Sequence, residues 1–414
     1  MAERETLSPG KDAVVDRISS LPESLLCYVL SFLPTKESIA TSILSTRWKL
    51  LWTLVPKLDL DTYTISTSEL WADDDVEDAL PHVVSSVLAQ QQCGELQTFR
   101  LIWAYWRDGS HLDAWLRTAA ARKVKELNLH IYSDREENPK LPPSFFSCRT
   151  LVVLKLDGDI DFDIDIDTPS LSFNFPSLKI LHLLAMGLPC PLWLKLLSGC
   201  PVLEDFSFTT EYFYEGEYKI CVPTLKRLSI REFYFTDDDF ELEINAPALE
   251  YFELYEFCRK WLFNLFAALN NVKFLSFSTS GTEWHKFGNI YPSSFQNLVK
   301  LIFKVNGCSW NMLRDLLQKA PNLETLVITK VCDFVESNLH WKEPQYDPAN
   351  LSSLTSFYYR RFKGESRRKV FLRNYQCSQG AQQHAYLELN EVSVWLHLHG
   401  TSFHAYLPSF VCLI

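Results

Sequence analysis

Leu178-Lys179-Ile180-Leu181-His182-Leu183 carries apolar side chains at its first, fourth and sixth places, and this L-x-x-L-x-L spelling returns along most of the chain. Ahead of it stand Leu96-Phe99-Leu101, Val124-Leu127-Leu129 and Leu151-Leu154-Leu156. Behind it follow Leu203-Phe206-Phe208, Leu225-Leu228-Ile230, Leu249-Phe252-Leu254, Val272-Leu275-Phe277, Leu298-Leu301-Phe303 and Leu323-Leu326-Ile328, with Leu354-Phe357-Tyr359 as a looser last copy. Successive copies start 28, 27, 27, 25, 22, 24, 23, 26, 25 and 31 residues apart.

The fourth and sixth positions alternate with their neighbours, which is the period of a short strand with one buried face. The first position anchors the turn into that strand. No unit can bury its apolar row except against the units beside it, so the array predicts a solenoid. Most spacings fall within the roughly 20–29 residues of leucine-rich repeats. The alternative is a sheet-rich globular domain with chance matches. Pro176, Pro201, Pro223, Pro247 and Pro321 each stand two residues before an anchor. There a missing N–H and a fixed φ suit a turn and stop any helix arriving from the convex side. Convex helices are expected at Pro191 to Leu197, Trp261 to Leu269 and Trp310 to Lys319, with irregular backs elsewhere. The fold class is therefore α/β, a curved parallel sheet with an irregular helical convex side.

The N-terminal part reads differently. Ser20-Leu21-Pro22-Glu23 fits a capping box, with Ser20 as N-cap and Glu23 reaching back. Leu21, Leu25, Leu26, Val29, Leu30 and Leu33 follow at helical spacing. Pro34 stops that helix, and Thr35 is expected to cap a second one through Ile39, Ile43 and Leu44. Trp48, Leu51 and Trp52 extend the apolar surface until Pro56 interrupts it. So short a segment seldom buries enough surface to stand alone, so part of the stripe needs a partner. Periodicity alone fits equally well a helical cap packed on the repeats.

The spelling of this segment adds more. Asp16-Arg17-Ile18-Ser19-Ser20-Leu21-Pro22 and Thr41-Ser42-Ile43-Leu44-Ser45-Thr46-Arg47-Trp48-Lys49 resemble the plant form of the F-box. The resemblance implies docking to a Skp-type adaptor of a cullin ubiquitin ligase, and through it to the cullin and a RING protein. It assigns adaptor contacts to Leu21, Pro22, Leu25, Leu26, Leu30, Leu33, Pro34, Leu44, Trp48 and Trp52. Trp341-Lys342-Glu343-Pro344, Leu351 to Phe357 and Arg361-Phe362-Lys363-Gly364 resemble the start of an FBD domain, which closes many plant F-box leucine-rich-repeat proteins. After Tyr375 the chain departs from that pattern, and an alternative splice or reading-frame end is the expected cause. The expected organisation is an F-box over 12–58, a linker and cap over 59–95 with a helix from Val76 to Leu88, and the solenoid over 96–340. A partial FBD-like segment over 341–376 and an atypical tail over 377–414 follow.

Composition narrows the function. The chain has 414 residues, 47% hydrophobic, with a net charge of −11. Phosphate backbones require a concentrated basic surface, so a nucleic-acid partner is not expected. Eleven scattered cysteines form no CxxC pair, which argues against zinc ribbons and redox motifs. No stretch approaches a membrane span, and no apolar signal region follows the charged residues Glu3, Arg4 and Glu5. A cytoplasmic or nuclear protein with reduced thiols is expected.

The alternating aspartates from Asp157 to Asp167 invite a calcium reading, but an EF-hand loop would need Gly and Glu where Phe162 and Thr168 stand. A solvated acidic strand with Ile160, Phe162, Ile164 and Ile166 facing inward fits better, and Asp237-Asp238-Asp239 reads as a loop. No HExxH, GxSxG or phosphate-binding glycine loop is present. Neither a cofactor, a metal nor a catalytic residue is expected. The resemblance implies a substrate-recognition adaptor whose repeats hold an unidentified client. The alternatives are an interaction scaffold not coupled to ubiquitination and an enzyme with an unrecognised site.

Overall fold

Each L-x-x-L-x-L unit becomes a strand whose anchor sits buried in the turn before it. The computed structural model describes residues 17–18, 20–62, 74–106, 110–133, 138–158, 160–162, 172–184, 190–210, 216–232, 240–257, 269–280, 295–306, 310–330, 353–360, 383–389, 392–399 and 402–405. In chain order the strands are β1 (Lys57–Asp61), β2 (Thr98–Trp106), β3 (Glu126–Ser133), β4 (Lys140–Leu141), β5 (Val153–Gly158), β6 (Asp161–Phe162) and β7 (Ile180–Leu184). β8 (Asp205–Thr210), β9 (Gly216–Cys221), β10 (Arg227–Glu232), β11 (Phe240–Asn245), β12 (Tyr251–Phe257) and β13 (Phe274–Ser280) follow. The series ends with β14 (Lys300–Asn306), β15 (Thr325–Lys330), β16 (Ser356–Arg360), β17 (Gln383–Leu389), β18 (Val392–His399) and β19 (Ser402–Ala405). The helices are α1 (Glu23–Leu30), α2 (Thr35–Ala40), α3 (Asp74–Gln90), α4 (Ser110–Ala121), α5 (Cys190–Ser198) and α6 (Trp310–Lys319).

Fifteen strands form one sheet in the order β1-β2-β3-β5-β7-β8-β10-β12-β13-β14-β15-β16-β17-β18-β19, and all neighbours from β1 to β17 run parallel. Register aligns Phe99, Leu127, Leu154, Leu181, Phe206, Leu228, Phe252, Leu275, Leu301 and Leu326 in one row, none more than 2% exposed. This is the predicted solenoid.

Side chains at the turns reinforce the stacking. The residue before the anchor reaches back to a backbone carbonyl of the preceding unit: Thr150 to Val124, Thr224 to Leu203, Asn271 to Pro247, Asn297 to Asn270 and Asn322 to Gln296, at 2.7–3.3 Å. The residue after the anchor alternates in sign, so that Glu204 pairs with Lys179 (3.2 Å) and Lys226 (2.8 Å), and Glu250 with Lys273 (2.9 Å). Gly158 ends β5 at φ +100°, where a Cβ would lie 2.1 Å from the Ile131 carbonyl oxygen, so only glycine fits.

Helices α5 and α6 lie where the sequence places them; residues 258–268, which include most of the third expected helix, lie outside the described set. On α5, Trp193 meets Phe206, Phe208 and Tyr218 edge-on, with ring centres 5.3, 4.5 and 5.4 Å away, and its indole N–H donates to the Lys219 carbonyl. Helix α3 spans the expected cap and buries Val84, Val87 and Leu88 in the repeat core. Helix α4 was not foreseen. It buries Leu112, Trp115, Leu116 and Ala119, spaced i, i+3, i+4, i+7.

Three further departures have physical reasons. The sheet starts at β1, ahead of the first expected unit, because Val55-x-x-Leu58-x-Leu60 is itself a copy of the repeat and all three residues are buried. Two small parallel sheets, β4/β6 and β9/β11, pair segments between the main strands. β6 belongs to the aspartate-rich run: Ile160 is buried as expected, while 163–171 and 237–239 lie outside the described residues. Finally, the stretch read as an atypical tail extends the sheet. β17 runs parallel to β16, and β18 and β19 fold back antiparallel. Val392, Val394, Leu396 and Leu398 alternate with polar or aromatic neighbours, a strand period that a search for a helix passes over. Residues 341–344 and 361–364, which carry part of the FBD resemblance, lie outside the described set.

Candidate functional site

The N-terminal segment forms a helical hook, though its first helix starts later and its second one residue earlier than the sequence suggests. α1 begins at Glu23, with Pro22 at its N-cap (φ −58°, ψ 149°) and no side-chain cap. The capping box is not formed, because Ser20 lies in the preceding turn and its hydroxyl donates to the Arg17 carbonyl at 2.7 Å. Glu23 still places an anion at the positive end of the helix. Pro34 likewise holds the N-cap of α2. Thr35 therefore does not cap; it is buried, and its hydroxyl accepts the Asp59 backbone N–H of β1 at 2.7 Å.

The hook has two faces. Leu26 and Leu30, one turn apart on α1, pack with Trp48, Leu51 and Val55 into a small core of its own, with Leu21, Cys27 and Leu33 half-buried around it. Trp52 points the other way and joins the repeat core, as does the partly buried Ile39. Gln91, just past α3, donates to the Val55 carbonyl, and the Gln92 N–H donates to Thr53 at 2.8 Å. Arg47 donates to the Leu21 carbonyl and ties the hook's two ends together. The hook is thus fastened to the first strand by packing and by hydrogen bonds.

Among the described residues the other face has no cover. Leu25, Tyr28, Val29 and Phe32 follow the i, i+3, i+4, i+7 spacing of a helical stripe, yet they are 48%, 63%, 48% and 67% exposed. Tyr28 and Phe32 meet edge-to-face with ring centres 5.0 Å apart. Ile18, Ile43, Leu44, Leu50 and Leu54 are exposed as well. Nine of the thirteen large hydrophobics exposed among the described residues thus lie between Ile18 and Leu54. So dense an apolar surface marks an interaction site.

The residues that the F-box resemblance assigned to adaptor contact divide between the faces. Leu25, Pro22 and Leu44 are exposed, and Leu21, Leu33 and Pro34 are half-buried. Leu26, Leu30, Trp48 and Trp52 are at most 7% exposed, with their side chains packed within the chain. Tyr28, Phe32, Ile18, Ile43 and Leu50 share the exposed face and were not among the residues that the resemblance assigned. Helical spacing of Tyr28 and Phe32 with Leu25 could have found the first two.

The solenoid supplies a second surface, the polar face of its parallel strands. Near β1 to β8 its groups are paired: Asp59 with Arg100 (2.6 Å) and Lys57 (3.1 Å), His130 with Asp157 (2.9 Å), and His182 with Asp205 (3.4 Å). Cys200 lies in the core, where burial pushes its thiol up to about 12. Among the described residues no group of three His, Cys, Asp or Glu gathers as metal ligands, and no helix is long and apolar enough to cross a membrane.

Comparison with known proteins agrees with this arrangement. Residues 18–60 match the F-box domain, and residues 112–261 match the LRR repeats of the FBD-associated F-box protein At5g56370. The F-box/FBD/LRR-repeat protein At4g00160 of Arabidopsis thaliana is 32% identical over 380 residues, covering 84% of this chain and 80% of that protein. The FBD-associated F-box protein At4g10400 of the same plant is 30% identical over 376 residues, covering 84% and 87%. The F-box/LRR-repeat protein At3g59190, also of Arabidopsis thaliana, reaches 35% over 244 residues, covering 58% and 61%. With its hook, its repeat sheet and relatives across most of its length, the chain belongs to the plant F-box/FBD/LRR-repeat family.

Proposed function

We propose that this chain is the substrate-recognition subunit of an SCF-type ubiquitin ligase, acting in the cytoplasm or nucleus. An F-box joined to leucine-rich repeats is in general the architecture of a non-enzymatic adaptor of this class. The observation that carries the reading is the outward stripe Leu25, Tyr28, Val29 and Phe32, an apolar surface along α1 and the turn that follows it, open to water among the described residues. In this reading it seats a Skp-type adaptor together with Leu21, Pro22, Leu33, Pro34 and Leu44, and the cullin and RING protein follow through that adaptor. Full burial of each large side chain contributes about 1.5–3 kcal/mol. Several together offset an association cost of roughly 4–15 kcal/mol.

The chain itself transfers nothing. The solenoid holds a client protein while the hook ties it to the ligase, so the client meets the charged conjugating enzyme at high effective concentration. Co-purification with a Skp-type adaptor tests the reading. Wild type should be captured, and Tyr28→Ser with Phe32→Ser should weaken capture about 100-fold, from about 3 kcal/mol of lost burial. The control Tyr132→Ser, exposed on the solenoid, should leave it unchanged. A folded wild type that captures no adaptor would favour a repeat scaffold not coupled to ubiquitination.

A further inference from the structure

From β10 to β14 the concave face changes character. Register sets Arg227, Tyr251, Phe274 and Lys300 side by side on four neighbouring strands. The Arg227 guanidinium lies 5.2 Å from the centre of the Tyr251 ring. Tyr251 stacks on Phe274 at 4.2 Å with the planes 5° apart, and the Lys300 ammonium lies 5.4 Å from the Phe274 ring. Four residues further along the strands the motif returns, with Arg231 4.9 Å and Lys304 4.4 Å from the Tyr255 ring. The first row is a pair of stacked rings with a cation at either end, and the second is one ring held between two cations. With strands about 4.8 Å apart, Arg227 and Lys300 lie about 14 Å apart across the first row, whereas Arg231 and Lys304 close on the single Tyr255 ring.

Glu253 sits between the rows and is satisfied within the patch. It accepts from Lys304 at 3.1 Å, the Tyr251 hydroxyl at 3.3 Å and the Ser276 hydroxyl at 3.4 Å. Asp205, the register neighbour of Arg227, is engaged by His182. Among the described residues, Arg227, Arg231 and Lys300 have rings rather than carboxylates as partners. Four cations thus face two carboxylates, Glu253 and Asp205, and the patch keeps a positive balance on a chain whose net charge is −11. A cation held against a ring is already oriented and partly desolvated, and its outer side is open to a charge-assisted hydrogen bond.

We propose that this patch docks a carboxylate-rich segment of the client protein, laid across β10 to β14. The proposal rests on the reading of the repeats as a client-binding surface. The two cations of the first row are about 14 Å apart, the reach of about four residues of extended chain, so acidic residues at positions i and i+4 fit the row. The aromatic floor between them provides rigid contact area at little entropic cost.

The test uses the full chain and a fluorescein-labelled peptide with glutamate at every fourth position, read by anisotropy. The same peptide with lysine at those positions and a single-stranded oligonucleotide serve as comparisons. The Glu peptide should bind, should weaken as salt rises, and should lose at least tenfold in affinity in Arg227→Gln with Lys300→Gln. Both side chains lie on the surface, so the thermal melt and adaptor capture should be unchanged in that variant. A Lys peptide or an oligonucleotide that binds as tightly, or a variant that binds the Glu peptide like wild type, would overturn the proposal. Adaptor capture measured in parallel separates the two readings, since it can fail or succeed independently of the peptide.

Discussion

Leu181 and Leu183 in the solenoid are fully buried, whereas Leu25 and Leu44 in the hook are 48% and 62% exposed, although all four belong to apolar patterns of equal regularity. The difference lies in what stands beside them. A repeat strand has a neighbour on both sides supplying the next row of the same core, so every anchor finds cover. The hook has one small core and one attachment to β1, and its helices have a second face that nothing among the described residues covers. Regular spacing therefore reports that a face is meant to be buried, and does not say by whom.

Substitutions can break this contrast. The largest effect is expected for Phe252→Ala, which removes a fully buried ring from the middle of the sheet. A loss of about 3–5 kcal/mol should appear in urea denaturation, and a loss under 1 kcal/mol would mean that the repeats tolerate cavities. Thr35→Val should cost about 1–3 kcal/mol by leaving the Asp59 N–H without its acceptor. Hydrogen exchange at Asp59 should accelerate while exchange in β12 does not. Tyr28→Ser with Phe32→Ser should change stability by no more than about 0.5 kcal/mol per site while weakening adaptor capture about 100-fold. A large destabilisation there would show that the open face supports the fold after all.

The smallest effect belongs to the ion ladder. Hydrogen bonds from Lys226 and Lys179 hold the Glu204 carboxyl below its usual value. A carboxylate with a lowered folded-state pKa adds stability above its unfolded pKa, and that stability fades as pH falls through the folded value. Glu204→Gln should thus shift the denaturation midpoint slightly at pH 7 and not at pH 2. At 1 M salt the shift should vanish at both, because the pairs are exposed.

The sheet was legible because L-x-x-L-x-L constrains three residues of every unit, and each anchor named from spacing alone proved buried. β1 was hidden because Val55, Leu58 and Leu60 follow directly on the hook, and Val55 packs in the hook's core while Leu58 and Leu60 join the repeat core. β18 was hidden by an expectation of helix. In the hook the sequence told which residues are apolar and left open which way they face. Leu25 and Leu26 are adjacent leucines, and only the packing of Trp48 and Leu51 against one side decides that Leu26 turns in and Leu25 out. The concave cation–ring patch was illegible for another reason. Arg227, Tyr251, Phe274 and Lys300 are 24, 23 and 26 residues apart and meet only through strand register.

The bond from the Asp59 N–H to Thr35, with Trp52 seated in the repeat core, joins hook and sheet without a slack tether. Position along the solenoid then acts as a ruler. Each strand lies about 4.8 Å further from the hook, so in the proposed ligase role the strand that a client grips would set which of its lysines come within range of an enzyme carried at the hook's far side. Lengthening the array by one unit would shift that choice of lysine without altering a single contact at either surface.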